Sequence, residues 1–303
     1  MPEGLIVKAL SGYYYVLPST INGATQETIQ CRARGIFKKR GLTPLVGDRV
    51  VYMLTDGGEG TVDELLPRET ELVRPPIANV DTALLVFAVT EPDITLSLLD
   101  KFLVHTEKAG LHTIICLTKS DLLGQVDVKL DEEIASLREI YTMIGYPVLL
   151  CSAKTGEGSA EVLQALAGKI TVLSGQSGVG KSSLLNRLIP GLQLETNMIS
   201  ERLGRGKHTT RHVELIAHPQ GGWIADTPGF SQLDFTGIEA EELSHYFAEM
   251  SPLADTCKFR GCLHRGEPDC AVREAMASGT VAQSRYDHYL QFVEEIRERK
   301  RRY

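Results

Sequence analysis

The stretch Gly175-Gln176-Ser177-Gly178-Val179-Gly180-Lys181-Ser182 constrains this chain more than any other. It spells G-x-x-x-x-G-K-S between an apolar run at 170–173 and a helix-forming run at 184–188 that Pro190-Gly191 stops. Strand, glycine-rich loop and helix is the context in which this spacing wraps a phosphate. Glycines let backbone N–H groups close on phosphate oxygens, and the helix N-terminus adds the positive end of its dipole. Lys181 then reaches the β- and γ-phosphates, Ser182 holds Mg²⁺, and Ser183 follows within the same nucleotide site.

The 303 residues suffice for two or three domains. The longest apolar run, 83–89, is too short to cross a bilayer, so no membrane partner is expected. No basic segment followed by an apolar core opens the chain, so no signal peptide is read. Cys116 and Cys151 lie in apolar strands, Cys31 reads as structural, and Cys257, Cys262 and Cys270 crowd around His264. That is not a disulfide pattern, and it points to the cytoplasm. Nothing demands a dimer, so a monomer is expected. The formal net charge of -7 argues mildly against nucleic acid unless basic residues cluster. They do cluster, at 32–40, 202–212 and 297–302.

Residues 1–72 hold five short strand-forming runs with turn residues between them, including a run at 28–37. This suggests a Greek-key β-barrel of the oligonucleotide-binding (OB) type. Arg32, Arg34, Lys38, Lys39 and Arg40 fall on strand and turn with no acid among them. They make either a solvated face or a contact to a nucleic-acid backbone. Pro67 and Pro75-Pro76 mark a linker. From 73 to 235 strands alternate with helices, the pattern of a doubly wound α/β sheet with ligands at the carboxyl ends of its strands. From 236 to 303 the pattern is mainly helical, with helices expected at 239–250, 271–278 and 284–299.

Three more motifs follow strands in the middle region. Thr118-Lys119-Ser120-Asp121 puts a carboxylate where it can accept from both N1–H and the exocyclic amine of guanine. Adenine offers neither donor, so Asp121 would be left desolvated and unpaired, at a cost on the order of 10⁴-fold. Lys119 would lie along the base. Ser152-Ala153-Lys154 would offer a backbone N–H to the guanine carbonyl oxygen. Asp226-Thr227-Pro228-Gly229 would hold the Mg²⁺ shell through Asp226 and sense the γ-phosphate through the Gly229 N–H. Taken singly, these stretches are a helix N-cap, a strand-to-helix loop and a β-turn. Together, around one phosphate loop, they read as a guanine-nucleotide site.

The order of these motifs is unusual. In most GTPases the phosphate loop comes first, then Asp-x-x-Gly, then the guanine-reading pair. Here the pair precedes the loop and Asp-Thr-Pro-Gly follows it, a circular permutation. Over essentially its full length the chain resembles the RsgA family of bacterial GTPases that depend on the small ribosomal subunit. The resemblance implies an OB-like barrel at 1–72, a circularly permuted P-loop GTPase domain at 73–235 and a mainly helical zinc-binding domain at 236–303. It also implies that GTP is split to GDP with stimulation by the small subunit, that its rRNA is a partner, and that the protein assists late subunit maturation. Thr118 stands where ordinary GTPases carry Asn.

Residues 203–211 look like the family's first switch, with Thr209 or Thr210 supplying a Mg²⁺ ligand; Thr209 is favoured. Phe230 follows Asp-Thr-Pro-Gly where many GTPases place a water-orienting Gln, and a phenyl ring cannot do that work. His208 is then the candidate to orient water or accept its proton. Cys257-x₄-Cys262-x-His264-x₅-Cys270 offers three thiolates and one imidazole, a closed tetrahedral set for one structural Zn²⁺. Two rival readings remain. One is a small-molecule kinase using ATP, against which Asp121 argues. The other is an RNA-binding assembly module whose guanine nucleotide only regulates docking.

Overall fold

A computed structural model of the chain describes residues 2–19, 27–55, 57–194, 213–226 and 233–301. The first five strands are β1 (Glu3–Leu10), β2 (Tyr13–Pro18), β3 (Ile29–Ala33), β4 (Arg49–Leu54) and β5 (Gly60–Leu65). They run in the order β1-β2-β3-β5-β4, and β4 returns to β1, closing a barrel. The β3–β5 pair is parallel and the others antiparallel. Alternate residues point inward, and Ile6, Val16, Cys31, Val50 and Val62 are fully buried there. This is the OB-like barrel expected.

The strand read over 28–37 ends early, at Ala33. Gly35–Lys39 is a short helix, α1, whose Phe37 joins the barrel core. The basic cluster therefore divides between strand and helix. Arg32 pairs across to Tyr13 on β2, standing 4.7 Å over its ring. Arg34 is ion-paired with Asp63 of β5, an acid that adjacency in sequence could not reveal. Lys38, Lys39 and Arg40 are exposed. The stretch expected as a linker contains a hairpin, β6 (Glu71–Val73) with β7 (Pro76–Ala78).

The central sheet comprises β8 (Thr82–Ala88), β9 (His112–Thr118), β10 (Val148–Cys151), β11 (Ile170–Ser174), β12 (Glu214–Ala217) and β13 (Trp223–Asp226), ordered β10-β9-β8-β11-β13-β12. All are parallel except β12. Every residue of β8 is buried because both faces of the strand are covered. Leu85 and Phe87 share one core with Leu99 and Phe102 of helix α2 (Leu96–Lys108). Leu84 and Val86 share the other with Val162 of α4 (Ser159–Leu166) and Leu184 of α5 (Lys181–Leu188). Helix α3 (Val128–Ile144) starts a turn before the expected 131 because Asp127 caps it, accepting from the Lys129 N–H. β12 also meets β1 at Lys8↔Glu214, where the side chains pair at 2.8 Å, so barrel and central sheet run on as one.

The helix expected over 239–250 is not formed. A chain of i→i+3 bonds from Glu239 to Phe247 winds it more tightly, with a 3-10 turn at Leu243–Tyr246. Helical spacing of Leu243, Phe247 and Met250 survives because all three are buried; Phe247 packs on Tyr289 and Phe292. Short helices Ser251–Ala254 and Ala271–Ala277 lead to the long terminal helix Gln283–Arg301. That helix docks on α2 through Arg285, whose guanidinium bonds Asp100 at 2.6 Å and both oxygens of Glu249 at 2.7 and 2.8 Å. Among the described residues no helix is long and apolar enough to cross a membrane.

Candidate nucleotide site and metal cluster

The phosphate loop leaves β11 at Ser174 and enters α5 at Lys181. Gly175 takes φ +148°, and a Cβ there would stand 2.0 Å from the Val86 carbonyl oxygen of β8. Only glycine lets the loop turn this close to the sheet. Gly180 caps α5 at φ +92°, so the first turn of the helix opens onto the loop. The Lys181 ammonium donates to the Gly175 and Gln176 carbonyls at 2.8 and 2.6 Å. Burial pushes it down to about 8. Ser182 is buried beside it.

The other two motifs reach the same place from β9 and β10. Those strands are neighbours, with Cys151 opposite Thr118, so the loops that follow lie side by side. Lys119 adopts a left-handed turn at φ 59° and its ammonium donates to the Glu91 carbonyl in the loop after β8. Asp121 accepts from the Ser152 hydroxyl at 2.6 Å and faces the Lys154 ammonium at 3.7 Å. The Ser152 bond is the main reason its carboxyl is held below the ordinary range, burial acting against it. It is therefore an ionised acceptor at neutral pH. Thr118 ties the two halves together: its hydroxyl lies 2.5 Å from the Val179 carbonyl in the phosphate loop and 3.1 Å from that of Phe87.

Between these loops runs a cleft of about 650 Å³, lined by Thr118, Lys119, Asp121, Ala153, Lys154 and Gly180 among others. That is room for a nucleotide. Asn186 and Arg187 of α5 also line it. Sequence reasoning missed both; the only signal was their position in the second turn of the helix that follows the phosphate loop. Asp226 ends β13 one residue beyond the Val172↔Ala225 pair, so the strand ends of β11 and β13 open together. His208, Thr209, Thr210, Gly229 and Phe230 lie outside the described residues.

The second site is the loop 257–270. The ligand atoms of Cys257, Cys262, His264 and Cys270 all lie within 4.8 Å of one another. His264 Nδ1 is 3.5 Å from the Cys257 sulfur and 3.3 Å from that of Cys270, and the two sulfurs are 3.9 Å apart. Ligands about 2.3 Å from a tetrahedral centre stand roughly 3.8 Å apart, so these residues could bind a metal ion. Glu267 accepts backbone N–H bonds from Leu263, Arg265 and Gly266. Tyr286 and Tyr289 of the terminal helix donate to the His264 and Leu263 carbonyls. The loop is thus supported by Glu267 from within and by the terminal helix from outside the Cys-His spacing.

A parallel sheet with a phosphate loop and two base-side loops at its strand ends, in this chain order, defines a circularly permuted P-loop GTPase behind an OB-like barrel. The comparisons agree. The RsgA GTPase family profile matches residues 65–236 and the RsgA N-terminal domain profile residues 3–62. The relatives from Bacillus velezensis and Bacillus subtilis, both named small ribosomal subunit biogenesis GTPase RsgA, are 54% and 53% identical over 303 residues, the whole of both chains. The solved structure of YloQ, described as a circularly permuted GTPase, shares 47% identity at a TM-score of 0.83, covering 99% of this chain and 96% of that one. YjeQ from Thermotoga maritima shares 39% at a TM-score of 0.85, covering 97% and 98%. The chain belongs to the RsgA GTPase family and is a GTPase.

Proposed function

We propose that this GTPase binds the small (30S) ribosomal subunit and assists its late maturation, hydrolysing GTP when the subunit engages it. What carries the reading is the convergence of loops 118–121, 152–154 and 175–182 on one cleft, in a chain whose full-length relatives are named for small-subunit biogenesis. Asp121 reads N1–H and the amine of guanine, the Ala153 N–H meets its carbonyl, and residues 175–183 wrap the phosphates with Lys181 on the β- and γ-oxygens. Ser182, Thr209 and Asp226 would hold Mg²⁺, which would supply charge neutralisation on those oxygens. Water attacks the γ-phosphorus as the bond to the β-bridging oxygen breaks, giving GDP and phosphate. His208 orients that water or takes its proton, and the Gly229 N–H senses the γ-phosphate.

The domains are taken as 1–72, 73–235 and 236–303. The barrel meets rRNA through Arg32, Lys38, Lys39 and Arg40, with Tyr13 as an aromatic neighbour. Cys257, Cys262, His264 and Cys270 hold one structural Zn²⁺. The protein works as a cytoplasmic monomer. Sedimentation with purified small subunits tests this. Co-sedimentation in the presence of a non-hydrolysable GTP analogue, lost with GDP, is expected. Equal binding in both states, or no binding in either, would overturn the reading; binding with the analogue but no subunit-stimulated hydrolysis would favour the docking module.

A further inference from the structure

The Thr118 hydroxyl is in contact with two backbone carbonyl oxygens, at the point where the base pocket meets the phosphate loop. Guanine has one acceptor on this edge that the proposed contacts leave out, N7. Going round the base, N1–H and the amine face Asp121, the carbonyl oxygen faces Ala153, and N7 comes next, on the side of the phosphates. Thr118 lines the cleft with Lys119 and Asp121 and contacts Val179 of the phosphate loop, so a base seated on Asp121 and Ala153 would turn its N7 edge toward it. A hydroxyl carries one hydrogen. The Val179 and Phe87 carbonyls can only accept, so that hydrogen is spent inside the protein. What remains on the oxygen is lone pairs, which cannot bond an acceptor such as N7. Thr118 is also only 3% exposed. The nearby Lys119 ammonium gives to the Glu91 carbonyl. An Asn at this position would differ in kind, because its amide carries two N–H groups and could serve carbonyl and base together.

We propose that Thr118 leaves guanine N7 unread and is a positioning residue, holding the phosphate loop to β9. The proposal rests on the GTP reading above, and the test separates the two. Affinities of the full-length chain are measured by competition for GTP, 7-deaza-GTP, ITP and ATP. With N7 unread, 7-deaza-GTP binds within about twofold of GTP, whereas a lost neutral hydrogen bond would weaken it roughly 2- to 10-fold. ITP, lacking the amine, and ATP bind more weakly if Asp121 reads the base. A preference for GTP over 7-deaza-GTP greater than about twofold overturns the proposal and leaves the GTP reading intact. Equal affinity for ATP undoes the GTP reading itself. Thr118→Asn is expected to create a severalfold preference for GTP over 7-deaza-GTP; an unchanged ratio would refute the role given to Thr118. Thr118→Val is expected to weaken both nucleotides alike. If it weakens GTP alone, the hydroxyl does read N7 and the proposal falls.

Discussion

Replacing Arg285 by alanine should cost this protein more than any change of equal size on its surface. The guanidinium is 1% exposed and Asp100 is fully buried. Glu249, at 8%, is nearly so. Burial alone would drive the guanidinium toward its neutral form, but the charge of Asp100 and the bonds to Glu249 outweigh it and hold it charged. Removing it leaves two carboxylates in a dry interface. Asp100 keeps Tyr141 and His288 as donors, at 2.6 and 2.5 Å, while Glu249 loses both of its bonds to Arg285. Breaking a buried pair by deleting one partner costs about 3–5 kcal/mol, a large fraction of the roughly 5–15 kcal/mol that holds a typical domain folded. The loss should fall first on the docking of the terminal helix against α2. Urea unfolding of the variant is the assay. Glu295→Gln, which breaks the half-exposed pair with Lys101, serves as the reference and should cost no more than about 1 kcal/mol. Substituting Asp100→Leu, Glu249→Met, Arg285→Met and Tyr141→Phe together should recover most of the loss, since neither a charge nor the Tyr141 hydroxyl that Asp100 accepts from is then stranded. If Arg285→Ala costs no more than Glu295→Gln, the interface is not held as described.

Other expectations concern the two sites. Gly175→Ala should abolish measurable nucleotide binding by calorimetry, because its Cβ meets the Val86 carbonyl and its φ is one that side chains disfavour. Lys181 is held down to about 8, so anions on the loop raise its pKa and GTP binding should take up protons as pH rises past about 8. Calorimetry in buffers of different ionisation enthalpy should then give more uptake at about pH 8.5 than at pH 7, and equal uptake would contradict it. Ser152→Ala removes the bond that keeps Asp121 acidic. The acid-side loss of GTP affinity should therefore begin at a higher pH than in the unaltered protein, as read from binding at a series of pH values. Cys270→Ser should lower zinc content by metal analysis and destabilise the loop 257–270, while GTP affinity stays within about twofold.

The three loops that line the candidate nucleotide cleft were legible because each is a short contiguous motif dictated by local backbone geometry. A phosphate loop needs glycines in sequence, and Asp121 must follow a buried strand. The same holds for Cys257, Cys262, His264 and Cys270, which bring their ligand atoms together within one loop. What escaped reading is what the fold joins over distance. Asp100 looks like a polar slip on the apolar face of α2, and its partner lies 185 positions away. Asp63 neutralises Arg34 from another strand. Helix α1 was hidden because Ile36 and Phe37 extend the strand-forming run, whereas Gly35 breaks it and only Phe37 turns inward. The 239–250 stretch shows that apolar spacing specifies which side is buried and leaves the tightness of the winding to the aromatic cluster it meets.

The central claim is that a guanine-reading site here is turned over by contact with the small subunit. Hydrolysis of GTP, with ATP as control, measured with and without purified small ribosomal subunits, tests it most directly. The account predicts slow hydrolysis alone and strong stimulation confined to GTP and small subunits, lost in His208→Ala. GTP turnover that small subunits leave unchanged, or ATP used as well as GTP, would contradict it.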